Sequence, residues 1–127
     1  MSNQSLNVTE LDHQGKRLLR LLVDHLPKAN PDDPRTYLTY QSIHEIMKIE
    51  LEGRTYGESL QHHGMNNLGD WTKSTQKPAI TGLIINKSTN MPGEGYFKLF
   101  DKKKDDFNWW KSEIFKCKNF DWSPWLK

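Results

Sequence analysis

His62 and His63, adjacent in the chain, and the His44-Glu45 pair are the first residues whose types could carry chemistry. On a helix, neighbouring side chains point about 100° apart, so His62 and His63 cannot easily clasp one metal together. Lys48 stands four residues after His44, where a His-Glu-x-x-His zinc hydrolase would place its second histidine. Cys117 is the only cysteine, which excludes an internal disulfide and a cysteine-rich zinc cluster. It falls on the apolar stripe of a predicted helix and reads as a half-buried structural thiol. Exposed, it would instead be a nucleophile whose pKa Lys116 and Lys118 lower. No Gly-x-Ser-x-Gly elbow, Gly-x-x-x-x-Gly-Lys loop or Gly-x-Gly-x-x-Gly turn occurs, so nothing supports nucleotide hydrolysis. No metal or cofactor is expected. The enzymatic alternative is a site joining His44, Glu45, His62 or His63 to the Pro92-Gly93-Glu94-Gly95 loop.

That loop is the most distinctive local feature. Gly93 and Gly95 around Glu94 allow backbone angles closed to other residues, which suits a tight turn. They equally suit a loop whose backbone N–H groups contact a ligand or phosphate. Further on, lysines and aromatic residues interleave: Lys98, Lys102, Lys103, Lys104, Trp109, Lys111, Lys116, Lys118, Trp122 and Trp125, with Lys127 after them. Trp110 looks like core. Trp109, Trp122 and Trp125 either anchor a core or interface, or offer faces on which bases stack while the lysines meet phosphates. The charge distribution permits the second reading. Residues 1–64 hold 7 Lys/Arg against 9 Asp/Glu and residues 65–127 hold 11 against 7, so the halves are −2 and +4 in a chain of net charge +2.

The elements that must position these residues follow from periodicity and punctuation. With 127 residues, 35% hydrophobic, 27% charged and 5 Trp, 4 Tyr and 5 Phe, the chain should form a single folded domain over 1–127, with a flexible N-terminus at 1–8. No apolar run approaches the roughly 18 residues of a membrane span, and the N-terminus lacks a signal-peptide layout. A cytoplasmic protein without membrane contact is expected. Thr9 and Asp12 resemble an N-cap pair for a helix burying Leu11, Leu18, Leu22 and Leu26, which Pro27 ends. Thr39 is placed to cap a second helix whose buried stripe would be Ile43, Ile46, Met47 and Leu51, with Gly53 as its stop. A short helix through Leu60 ends at Gly64, and the next carries Leu68 and Trp71. Ile80 to Asn86 reads as the central strand, with Tyr96 to Phe100 as its candidate partner. Phe107, Trp110, Ile114 and Cys117 mark a C-terminal helix. The fold class is α+β, with helices packed on a small antiparallel sheet.

Several of these segments together carry a resemblance. Thr39-Tyr40, the Ile85-Asn86-Lys87-x-Thr89-x-x-Pro92-Gly93-Glu94-Gly95 core and Phe120-Asp121-Trp122 resemble a small bacterial domain family over residues 36–122, from which no reaction carries across. A fainter similarity is to the winged-helix DNA-binding domain of alkyltransferase-like proteins, through Thr39-Tyr40, Leu68-Gly69 and Pro78 to Asn86. It implies a winged-helix-like fold. Pro78 is followed by Ala79, Ile80 and Thr81 in place of Cys-His-Arg, which excludes alkyl transfer, and Met65, Asn66 and Asn67 stand where a recognition-helix arginine is expected. The leading functional expectation is a non-enzymatic nucleic-acid-binding module, accessory to a bacterial nuclease or defence system. The alternatives are a protein-interaction or regulatory subunit and a small enzyme.

Overall fold

The computed structural model describes residues 8–126. Apart from Val8, the start expected to be flexible lies outside the described residues, as does Lys127. Helix α1 (His13–His25) begins where the Asp12 carboxylate accepts the Gly15 N–H at 2.7 Å, so Asp12 alone makes the cap. It buries Leu18, Leu19 and Leu22 and gives way to a 3-10 turn at Pro27. Strand β1 (Leu38–Thr39) runs into α2 (Tyr40–Met47), where Thr39 and Ser42 exchange side-chain bonds with each other's N–H in a capping box. The helix stops at Lys48, in the left-handed region at φ 57, ahead of the Gly53 stop the sequence suggests. Ile46 and Leu51, expected in the buried stripe, are 54% and 48% exposed, Leu51 because the helix has already ended at Met47.

Helices α3 (Tyr56–Leu60) and α4 (Asn66–Ser74) are joined by one wide turn, Gln61–Met65. Its Gly64 adopts φ +116, and a Cβ there would lie 2.6 Å from the Gln14 carbonyl oxygen. The glycine therefore does two things: it kinks the chain, and it lets the turn press on the backbone of α1.

The only sheet among the described residues pairs β1 with β2 (Ile84–Ile85), Leu38 opposite Ile84 and Thr39 opposite Ile85. The pair is parallel, which overturns the expected antiparallel sheet. Parallel neighbours need a long crossover, and α2, α3 and α4 supply it. Two further expectations change with it. Ile80–Leu83, read as the first half of a strand, is a 3-10 turn. A short apolar run buried on all sides does not reveal its conformation by period, and here the backbone finds side-chain partners in place of a ladder. Glu113 accepts the Ala79 N–H at 3.1 Å, Tyr96 donates to the Ala79 carbonyl at 3.0 Å, and Trp110 donates to the Gly82 carbonyl at 2.9 Å. Tyr96 to Phe100 is likewise no strand, since α5 (Glu94–Leu99) occupies it. Its apolar residues Tyr96, Phe97 and Phe100 fall at helical spacing, and Glu94 sits in the first turn, where a negative charge is favourable.

Helix α6 (Phe107–Lys118), capped by Asp106, buries Trp110, Ile114 and Cys117 as the period predicts. One mixed α+β core results, centred on Trp71, Phe97, Ile80, Leu83, Ile84 and Ile85. No helix among the described residues is long and apolar enough to cross a membrane.

Candidate functional site

The interleaved lysines and tryptophans divide into two groups. Lys98, on α5, and Lys102, Lys103 and Lys104, in the turn before α6, are exposed, and none has a carboxylate partner among the described residues. Trp109 lies half-buried beside them against Tyr96, Phe97 and Phe100, with the Lys102 ammonium 5.6 Å from its ring centre.

The second group has partners inside the fold. Lys111 pairs with Asp32, and Lys116 with Glu113 at 3.0 Å, so neither adds net positive charge to the surface. Lys118 donates to the carbonyls of Leu26 and Ala29 at 2.7 and 2.6 Å, closing the end of α1. Trp122 is 3% exposed and donates its indole N–H to the Cys117 carbonyl at 3.0 Å. It packs against Phe120 and has no face for a base. Trp125 stacks on Phe120, and the Lys77 ammonium lies 4.6 Å from the ring centres of both Trp125 and Trp71. Desolvation lowers the Lys77 pKa.

The Pro-Gly-Glu-Gly segment is neither a left-handed turn nor an open loop. Gly93 is the N-cap of α5 at φ −66, and Gly95 lies within α5. The Gly93 N–H donates to the Tyr40 hydroxyl at 2.9 Å, which ties the start of α5 to the start of α2. Beside this bond opens a cleft of about 220 Å³ between α4, α5 and Tyr40, with Met65, Gly69, Asp70, Gly93 and Leu99 in its wall. Burial raises the Asp70 carboxyl above its ordinary value, opposed by the charge of Lys73, and burial likewise raises Tyr40. Two segments far apart in the chain, at Tyr40 and at Gly93, thus meet at one place. Asp70 gives no sequence signal, because on the helical wheel of α4 it lies about 160° from Leu68 and about 100° from Trp71, off the apolar stripe, and reads as solvent-facing. Only the packing of α5 encloses it.

The histidines are not part of this cleft. His44 is 2% exposed, with Nδ1 3.0 Å from the Tyr40 carbonyl and Nε2 2.9 Å from the Ser59 hydroxyl. The carbonyl fixes the proton on Nδ1, so Nε2 accepts from Ser59. A serine hydroxyl bonded to an imidazole has the form of an activated nucleophile. Ser59, however, is 0% exposed, and its oxygen also accepts the Glu52 N–H at 2.9 Å. The pair pins the segment between α2 and α3. His63 continues the arrangement, with Nδ1 2.8 Å from the Ser59 carbonyl and Nε2 2.9 Å from Glu52. Cys117 is fully buried, and desolvation, helped by the charge of Glu113, pushes its thiol well above the ordinary value, which is the environment of an inert thiol.

Comparison with protein families, with curated proteins and with solved structures finds no match to the chain.

Proposed function

We propose that the protein is a non-enzymatic nucleic-acid-binding module that engages single strands through Lys98, Lys102, Lys103, Lys104 and Trp109. The observation that carries this reading is the run of exposed lysines without acidic partners among the described residues, one of which, Lys102, rests on the half-buried Trp109 indole. Lysines of this kind meet phosphates and release counterions, and a base stacks on whatever part of an aromatic face is left open to solvent. The winged-helix analogy adds nothing to it, because a wing is an antiparallel hairpin and the β1–β2 pair is parallel. The reading rests on surface chemistry alone.

The test is a fluorescence-anisotropy titration with single and double strands of DNA and of RNA over a range of salt. Three or four neutralised phosphates give a log-log salt slope of about −2 to −3 for single strands. Absence of binding at tens of micromolar in low salt overturns the proposal. In that case a second reading leads, a protein-interaction subunit. It is favoured by Phe107 and Phe115, 53% and 62% exposed and two turns apart on α6.

A further inference from the structure

The cleft beside Gly93 holds a carboxylate with nothing to balance it. Among the described residues, Asp70 makes no ion pair and accepts no hydrogen bond from any N–H or O–H. Lys73, the cation whose charge acts on it, is turned away to the Leu99 carbonyl at 2.6 Å and to Asp101 at 3.3 Å. The Asp70 carboxylate is partly desolvated yet still reaches solvent, so water is the donor that a bound group would replace. Met65 and Leu99 supply an apolar side to the wall, Gln61, Asn66 and Thr81 add uncharged polar groups, and no Cβ at Gly69 or Gly93 narrows it. The Tyr40 hydroxyl uses one lone pair on the Gly93 N–H and keeps a second for another donor.

These groups define a ligand by elimination. An anion is repelled by Asp70. A hard metal ion favours a site with several carboxylates, and Asp70 is the only acidic side chain in this wall. A neutral apolar molecule leaves the carboxylate unpaired and drier than before. What remains is an organic cation with an apolar body. The volume suits it: a cavity of about 150 Å³ admits benzene, and this cleft is about 220 Å³.

We propose that the cleft is a binding site for an alkylguanidinium or alkylammonium group, its stem on Met65 and Leu99 and its charged head on Asp70 and the Tyr40 hydroxyl. A guanidinium fits better than an ammonium, because its planar fork matches a carboxylate with two parallel hydrogen bonds. The same chemistry arises from a free amine and from an arginine or lysine side chain of a peptide. The site is separate from the lysine surface and stands whether or not that surface binds nucleic acid.

The experiment is a titration of the full chain, isotopically labelled, with n-butylguanidinium, n-butylammonium and neutral n-butanol at pH 7. The backbone amides of Gly69, Gly93 and Gly95 are the reporters. The two cations shift these amides saturably, the guanidinium at lower concentration, and n-butanol does not. Asp70→Asn weakens cation binding by at least about tenfold, equivalent to about 1.4 kcal/mol, and Tyr40→Phe weakens it less. Gly95→Leu supplies a second blocking variant, since a Cβ at Gly95 meets nothing within 4 Å and a leucine there can fill the opening without disturbing the fold. A capped Gly-Arg-Gly peptide and putrescine, titrated in parallel, identify the source: the tighter of the two names a side chain or a free polyamine. Equal shifts from n-butanol and the cations, no saturable shift up to about 10 mM, or undiminished binding to both folded Asp70→Asn and folded Gly95→Leu overturns the proposal.

Discussion

Residues 98–109 and residues 111–125 are built from the same ingredients, lysines spaced among tryptophans, and the fold uses them in opposite ways. In the later stretch each side chain has found a partner in the protein. Lys118 holds the carbonyls at the end of α1, Lys111 and Lys116 sit on carboxylates, and Trp122 fills the core. In the earlier stretch the lysines occupy the exposed face of α5 and the turn before α6, with no carboxylate partner among the described residues and only Lys102 resting on an aromatic ring, that of Trp109. A charged group with an internal partner supports the fold, and one without a partner is available to something outside it. Asp70 belongs with the second kind although it lies in a cleft.

The largest test of this division is Trp122→Ala, which should cost about 3–5 kcal/mol in chemical denaturation through the cavity it leaves. Binding of nucleic acid by the fraction that remains folded should be unchanged. The converse substitution, alanine at Lys102, Lys103 and Lys104 together, should move stability by no more than about 0.5 kcal/mol while flattening the single-strand salt slope by about two. Trp122→Ala variants that bind more weakly when folded, or a triple variant that unfolds, would break the comparison.

A finer effect is expected from Asp70→Asn. Burial raises the folded carboxyl above its unfolded value, so as pH rises through the carboxyl range the unfolded chain gives up its proton more readily and folding loses stability. The asparagine variant avoids that loss. Its melting temperature should exceed that of the parent at pH 7, and the gain should vanish below about pH 4, where the carboxyl is protonated in both states. The smallest effect is at Gly95, whose position inside α5 and open surroundings mean that Gly95→Ala should stabilise by about 0.5–1 kcal/mol. That reverses the loss expected of a glycine held in a left-handed turn.

Much of the helical frame was legible because caps and period are local signals. Asp12 and Pro27 bracket α1, Thr39 opens α2, and the Trp110-Ile114-Cys117 spacing marks the buried face of α6, although Phe107, read as part of the same stripe, is 53% exposed. The centre was not legible. Ile80 to Ile85 is buried throughout, so nothing in its pattern distinguishes a strand from a turn, and its conformation depends on Glu113, Tyr96 and Trp110, which lie further along the chain. The candidate site divides on the same line. Composition could nominate lysines and tryptophans, but whether Lys118 faces a phosphate or the carbonyl of Leu26, 92 residues away, is decided by tertiary packing. Asp70 carried no sequence signal, because its enclosure comes from another helix.

The parallel pairing of β1 with β2 also sets an order in time. Leu38 has no strand partner until Ile84 has been synthesised, and the end of α1 keeps open carbonyls until Lys118 arrives. An emerging chain can pack its first helices on one another once residues 56–74 have appeared, but β1 and the end of α1 stay unpartnered until the last third of the chain follows, since contacts so far apart in sequence close late. Stalled or truncated chains lacking α6 are thus natural clients for chaperones and proteases, and production of the protein should be limited by how quickly its last quarter follows the rest.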